Sequence, residues 1–149
     1  MILRRAKRDD IAALTALQRA AYEPLKQRVG VSPLPYAADY GVLVETMEIW
    51  IAGPAGKLDA ALVLDPKPDH LLIWSIAVAP ERKGERLGSF LLDFAETRAI
   101  EIGLTELRLF TNERFTENVA WYQRRGYAIE RLEQWPDRRV VHFRRTLGR

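Results

Sequence analysis

Ser75-Ile-Ala-Val-Ala-Pro-Glu-Arg-Lys-Gly-Glu-Arg-Leu-Gly-Ser-Phe-Leu-Leu92 contains the end of a strand, a loop and the start of a helix. The apolar run from Leu71 to Val78 predicts a strand buried on both faces. Pro80 opens a short charged loop that holds Gly84 and Gly88. Leu87, Phe90, Leu91, Phe94 and Ala95 then recur at helical spacing. Such an order leaves the unpaired N–H groups of a helix start facing outward, with a partial positive charge that favours phosphate. Gly84 and Gly88 let the backbone approach an anion with no Cβ in between. Arg82, Lys83 and Arg86 add positive charge against Glu81 and Glu85. The physical reading is a pyrophosphate cradle, although an ordinary strand–helix connection would carry similar glycines. There is no Gly-Lys-Ser/Thr triplet, as a P-loop needs, and no Gly-x-Gly-x-x-Gly run.

Upstream of this stretch, Ile2 to Ala6 predicts a first strand, and Asp9 or Asp10 can cap the helix that follows. Ile11, Leu14, Leu17 and Ala21 share one face of that helix, with Tyr22 beside them and Pro24 at its end. Lys26 to Pro35 reads as loop, because Gly30, Pro33 and Pro35 break any periodicity. A second helix is expected from about Tyr36 or Ala37 to Met47. Ile49 to Ala52 is a strand, Gly53-Pro-Ala-Gly56 a turn, and Leu58 to Leu64 a return strand of period two.

Downstream, the helix ends near Ile102 with Gly103 just beyond it. Leu104 to Thr111 is a further strand, Thr116 to Arg125 a helix that stops at Gly126, and Tyr127 to Gln134 with Val140 to Leu147 a closing hairpin. The order β α α β β β α β α β β predicts an α/β (α+β) fold. The strand–helix–strand unit from Leu71 to Thr111 should be parallel and right-handed. No repeat or linker divides residues 1–149, so one domain is expected.

The 149 residues suit a single core, and 48% apolar with 29% charged residues is the balance of a soluble globular protein. No apolar run is long enough to span a bilayer, and the N-terminal apolar segment is too short for a signal peptide. The absence of cysteine excludes disulfides, thiolate metal sites and a Cys nucleophile. His70 and His142 lie far apart, so no metal site is expected. These features fit a cytoplasmic location and no membrane partner. The net charge of +3 suits an anionic cofactor without requiring nucleic acid. The basic residues Arg138, Arg139, Arg144, Arg145 and Arg149 are interrupted by Val140 to Phe143 and read as a solvated edge.

Val78-Ala-Pro-Glu-Arg-Lys-Gly-Glu-Arg-Leu-Gly88 resembles the acetyl-CoA loop of the GNAT superfamily of CoA-dependent N-acetyltransferases. That loop reads Gln or Arg, two residues, Gly, one residue, Gly or Ala. Lys83 stands where Gln or Arg is usual; it keeps the charge without the planar fork. Arg86 stands where the middle Gly is usual, so its backbone is expected outside the φ > 0 region. A second segment, Thr111-Asn112-Glu-Arg-Phe-Thr-Glu-Asn-Val-Ala-Trp-Tyr-Gln-Arg-Arg-Gly-Tyr127, resembles the part of the family that closes on the pantetheine arm. Tyr122, Gly126 and Tyr127 match it, whereas Phe115 replaces a usual Asn, whose role would fall to Asn112 or Asn118.

The resemblance implies a mixed, mostly antiparallel sheet of six to seven strands, with helices on both faces. It implies a V-shaped splay between the strand at Ser75–Val78 and the strand at Leu107–Phe110. It implies acetyl-CoA as acyl donor and an acetyl transfer to a primary amine of a small molecule or peptide by direct attack. Backbone groups of Ile76, Ala77 and Val78 would hold pantetheine, one N–H serving as oxyanion donor. Arg82, Lys83, Gly84, Glu85, Arg86, Leu87, Gly88 and Ser89 would hold the pyrophosphate. Tyr122 would be the general acid that protonates the leaving thiolate, since a phenol of pKa about 10 is protonated at neutral pH.

The general base is not evident: the central strand has no carboxylate, and Glu113 and Glu117 are equally read as helix-start residues. Tyr22, Arg28, Tyr36, Asp39, Tyr40, Trp135 and His142 are the residues expected near the acceptor. The alternative is a catalytically silent CoA-binding sensor or partner module. A homodimer is compatible with either reading.

Overall fold

The structure is a computed structural model in which residues 1–148 are described. Seven strands form one sheet in the order β1-β2-β3-β4-β5-β7-β6. They are β1 (Arg4–Arg5), β2 (Glu48–Ala52), β3 (Ala60–Pro66), β4 (Leu71–Val78), β5 (Glu106–Asn112), β6 (Ala128–Gln134) and β7 (Arg139–Thr146). All neighbours are antiparallel except β4 and β5. The helices are α1 (Ile11–Val29), α2 (Leu34–Ala37), α3 (Tyr40–Thr46), α4 (Leu87–Glu101) and α5 (Thr116–Arg124).

Each face of the sheet has its own core. On one, Leu91, Leu92, Ala95 and Ala99 of α4 pack against Leu62, Leu64, Leu71, Ile73, Leu107 and Phe143, joined by Trp121 and Tyr122 of α5. On the other, Leu14 and Leu17 of α1 and Tyr40 of α3 pack against Ile49, Ile51, Ala61, Val63 and Ala77. The alternation predicted for β3 is real, but both sets are buried, because a helix layer lies on either side.

β4 is not buried uniformly: Leu71, Ile73, Ser75 and Ala77 are buried, and the residues between them are partly exposed. The cause lies in two features of its register. Val63 pairs with Ser75 while Leu64 pairs with Ile73, so Trp74 is an extra residue, a β-bulge. The bulge puts Ile73 and Ile76, three apart, against the α4 core, and turns Ser75 and Ala77 to the α1 side. Second, β4 pairs with β5 only through Leu71–Ile73 and Leu107–Leu109. Beyond that point the two strands part. The expected splay is present, starting at Trp74 and Phe110, with Leu107–Leu109 in the closed portion.

The N-terminal third departs from the sequence reading in four places. The first strand shrinks to Arg4–Arg5, since only these residues pair with β2. Asp10 occupies the N-cap position of α1 without capping it. Its carboxylate accepts two hydrogen bonds from Arg4, at 3.0 and 2.8 Å, and one from the Lys7 N–H. The hydrogen-bonded Arg4 guanidinium, with the Lys7 N–H, holds that carboxyl below its usual range. Nor does Pro24 end α1. The helix runs through it to Gly30, whose φ of 85° supplies the left-handed terminator and whose N–H reaches the Lys26 carbonyl. The single helix expected from Tyr36 to Met47 is two, because Ala38 is extended and Asp39 starts α3 afresh by accepting the Gly41 N–H at 2.9 Å.

Candidate active site

Where β4 and β5 part, two cavities meet. A cleft of about 510 Å³ follows the loop before α4, and a narrower pocket of about 60 Å³ lies on the other side of the splay. Tyr22, Ile76, Asn118 and Tyr122 line both.

The cleft is bounded by Ile76, Ala77 and Val78 of β4 and by Arg82, Lys83 and Gly84 of the loop. Arg86, Leu87, Gly88 and Ser89 complete its charged end. Glu85 and Asn112 do not line it. Arg86 is the N-cap of α4 and makes no side-chain cap; the first helical bond there runs from Phe90 N–H to the Arg86 carbonyl at 3.1 Å. The N–H groups of Leu87, Gly88 and Ser89 therefore have no intrahelical acceptor. Arg82 is engaged by Asp59 and Glu85, at 3.5 and 3.0 Å, whereas Lys83 and Arg86 have no ion-pair partner among the described residues. Unpaired N–H donors, the helix dipole and two cations without ion-pair partners thus line one end of the cleft, which fits a pyrophosphate.

Gly84 and Arg86 both have positive φ, 88° and 61°. The expectation that Arg86 would avoid this region is overturned. The loop turns left-handed here although the residue has a Cβ, and Arg86 accepts the strain. Gly88 plays a different part. A Cβ there would stand 3.6 Å from the Trp121 ring, in ordinary contact, so its backbone does not itself require glycine.

The edge of β4 beyond the bulge has no strand neighbour on the β5 side. Ala79 N–H bonds to Asp59 on the β3 side, so by alternation Val78 and Ile76 turn their backbone groups toward the gap. The Tyr22 hydroxyl enters that gap from α1 and donates to the Ile76 carbonyl at 2.8 Å. It also lies 3.3 Å from Ser75 Oγ, which donates to the fully buried Gln18. Tyr22 thus occupies one of the acceptors that the open edge presents and leaves the Ile76 N–H and the Val78 groups to a ligand. Sequence reading placed Tyr22 near the acceptor but had no signal for this bond, which depends on how α1 packs across β4.

Tyr122 projects from α5 among Trp121, Tyr127 and Phe143, with ring centroids 5.0, 6.1 and 5.6 Å away. Its hydroxyl makes no hydrogen bond among the described residues. Burial, with the neighbouring phenols of Tyr22 and Tyr127, pushes its pKa above the usual phenol value. It is therefore fully protonated at neutral pH and free to donate.

The narrower pocket is walled by aromatic and aliphatic groups, among them Trp74, Phe110, Phe115, Trp135 and Leu34. Arg138 is the one charged lining residue, and it is committed: its guanidinium makes two bonds to Asp137 and a third, at 2.8 Å, to the Ser32 carbonyl. This tie joins the β6–β7 turn to the loop after α1 at the wall of the pocket.

Several expected acceptor residues are elsewhere. Asp39 caps α3, Tyr36 donates to Glu23 at 3.0 Å, and Tyr40 donates to the Pro35 carbonyl. Arg28 pairs with Glu117 at 2.7 Å. His142 is 2.7 Å from Glu133 and packs on Phe110. Glu113 and Glu117 line neither cavity. The basic residues of the last strand are balanced by carboxylates: Arg139 by Glu113, Arg144 by Glu106, Arg145 by Glu96. Arg149 lies outside the described residues.

A family model described as acetyltransferase (GNAT) family matches residues 11–127. The chain belongs to the GNAT acetyltransferase family. A curated relative, the amino-acid acetyltransferase of Mannheimia succiniciproducens, is 29% identical over 84 residues, 56% of this chain and 18% of that protein. The chain thus spans less than a fifth of that relative's length. Among solved structures, the PaiA N-acetyltransferase of Thermoplasma acidophilum in complex with coenzyme A superposes with a TM-score of 0.74 at 15% identity, covering 95% of this chain and 98% of that one. A GNAT family acetyltransferase from Elizabethkingia anophelis with acetyl-CoA bound gives 0.71 at 16% identity, covering 98% and 97%. The splayed sheet is thus the GNAT fold, and no helix among the described residues is long and apolar enough to cross a membrane.

Proposed function

We infer that this GNAT member transfers an acetyl group from acetyl-CoA to a primary amine by direct attack. The observation that carries the reading is the meeting of the two cavities at Tyr22, Ile76, Asn118 and Tyr122. The cleft is the donor side. Its unpaired N–H groups, Lys83 and Arg86 suit the pyrophosphate, and the Ile76 and Val78 edge suits the pantetheine amides. The narrower pocket is the acceptor side. Two solved neighbours of the same fold carry CoA or acetyl-CoA, which supports the donor assignment.

In the reaction, the amine nitrogen bonds to the thioester carbonyl carbon, and the oxyanion that develops is met by a backbone N–H of the open β4 edge. The C–S bond then breaks, and the thiolate takes the proton of the Tyr122 hydroxyl. The nitrogen loses one proton to solvent, and Tyr122 regains one.

Calorimetric titration with acetyl-CoA and CoA tests the donor side. Micromolar, salt-sensitive binding is expected, and Gly88→Glu should abolish it by placing bulk and negative charge in the cleft. Normal affinity in that variant would reduce the loop to a connector. A silent CoA-binding module is the second reading, favoured by the lack of Asp, Glu or His in the acceptor lining. Thiol release from acetyl-CoA with added amines separates the two: binding without release would mark the silent module.

A further inference from the structure

One polar atom of the acceptor pocket is left unexplained by the reading above. Asn112 ends β5 at the splayed edge and is 5% exposed. Its Oδ1 accepts the Arg114 N–H at 2.9 Å, which fixes the orientation of the carboxamide. Its Nδ2 is buried and has no partner among the described residues. Buried donors are almost always paired, so an orphan at a pocket wall points to an acceptor oxygen on the ligand. The Asn112 side of the splay is the aromatic pocket and not the pyrophosphate cleft.

The rest of the wall narrows the choice. No carboxylate lines the pocket, so a second ammonium, as in a polyamine, would be buried unpaired. The single cation, Arg138, already has its charge balanced by Asp137 and spends a further donor on the Ser32 carbonyl, so a free carboxylate would find no unbalanced counter-charge. What fits is a neutral carbonyl oxygen for Asn112, beside a modest apolar group for Phe110 and Trp135.

The absence of a general base points the same way. A lysine-type amine, of pKa about 10.4, is almost wholly protonated at neutral pH, whereas an α-amino group next to a carbonyl, of pKa about 7.7–8.0, is partly free base there. Such an amine needs no residue to deprotonate it.

We propose that the acceptor is an α-amino amide, the amino-terminal residue of a peptide or an amino-acid amide. Its carbonyl accepts a hydrogen bond from Asn112 Nδ2, and its apolar side chain lies against Phe110 and Trp135. The proposal rests on the acetyl-transfer reading and specifies its acceptor.

The test pairs leucinamide with 3-methylbutylamine, which is leucinamide without its carboxamide, and adds spermidine. Rates of thiol release are compared at equal free-amine concentration. Wild-type protein should favour leucinamide over 3-methylbutylamine at least tenfold in kcat/KM, with spermidine slower still. Asn112→Asp keeps an oxygen for the Arg114 N–H and removes the donor, and should lower that ratio at least fivefold. Its titration with acetyl-CoA reports that it is folded. Equal rates for the pair in wild-type protein, a preference for spermidine, or an unchanged ratio in the variant overturns the proposal. Should Asn112→Asp fail to fold, the wild-type pair decides alone. If acetyl-CoA does not bind at all, the donor reading fails and the acceptor falls with it. If it binds and the pair is not distinguished, only the acceptor is wrong.

Discussion

The two ends of β4 share a strand and little else. From Leu71 to Ile73 it has neighbours on both sides, and its partners Leu107 and Leu109 are buried in the α4 core. From Trp74 to Val78 it keeps β3 and loses β5, and its side chains alternate between partly exposed and buried. At the closed end the backbone groups are spent on the sheet. At the open end they face a gap, and the gap is where the charged cleft and the aromatic pocket meet. The lesson is that the fold makes its binding edge by withholding one strand contact, and the bulge at Trp74 turns the side chains to suit.

The sharpest way to break this contrast is at the open end. Tyr122→Phe removes a proton donor and should lower kcat by about 10²–10⁴ while leaving acetyl-CoA affinity nearly unchanged. Turnover at the wild-type rate would strip Tyr122 of its role.

At the closed end the same size of change should act on folding alone. Leu107→Ala removes a fully buried side chain and should cost about 2–5 kcal/mol, read from denaturant midpoints. The folded fraction should bind acetyl-CoA normally; a parallel loss of affinity would mean that the closed end also shapes the site.

The smallest effect is expected in the loop. Arg86→Gly relieves a left-handed residue that costs roughly 1–2 kcal/mol, offset in part by greater freedom of the unfolded chain. A thermal midpoint higher by about 2–4 °C per kcal/mol recovered should result. Little change in acetyl-CoA affinity would show the side chain pointing away from the phosphates, and a large loss would show that it holds one.

Much of this was legible because the decisive signals were local. The apolar run from Leu71 to Val78, the charged loop and the helical spacing after Leu87 each occupy one short window, and β4 and α4 formed where expected. Gly103 and Gly126 marked helix ends correctly, with φ of 83° and 91°. What stayed hidden was settled by distant partners. Pro24 looked like a stop, yet α1 runs on to end at Gly30. Asp39 looked like a ligand for an amine, yet it starts α3. Asp10 looked like a cap, yet Arg4 takes its carboxylate. For the site, the charged loop residues could be read from their order, whereas of the aromatic pocket's wall only Tyr22 and Trp135 were among the residues expected near the acceptor. Leu34, Phe110 and Trp135 come from three segments with no shared spacing.

The tie between Arg138 and the Ser32 carbonyl has a consequence in time as well as in space. Its two residues stand 106 positions apart, so during synthesis the loop after α1 waits for most of the protein to be made before its partner exists. The residues that line the charged cleft have all been added by Tyr122, well before Arg138. A nascent chain therefore carries every residue that lines the charged cleft before it carries Arg138, which ties the wall of the narrower pocket.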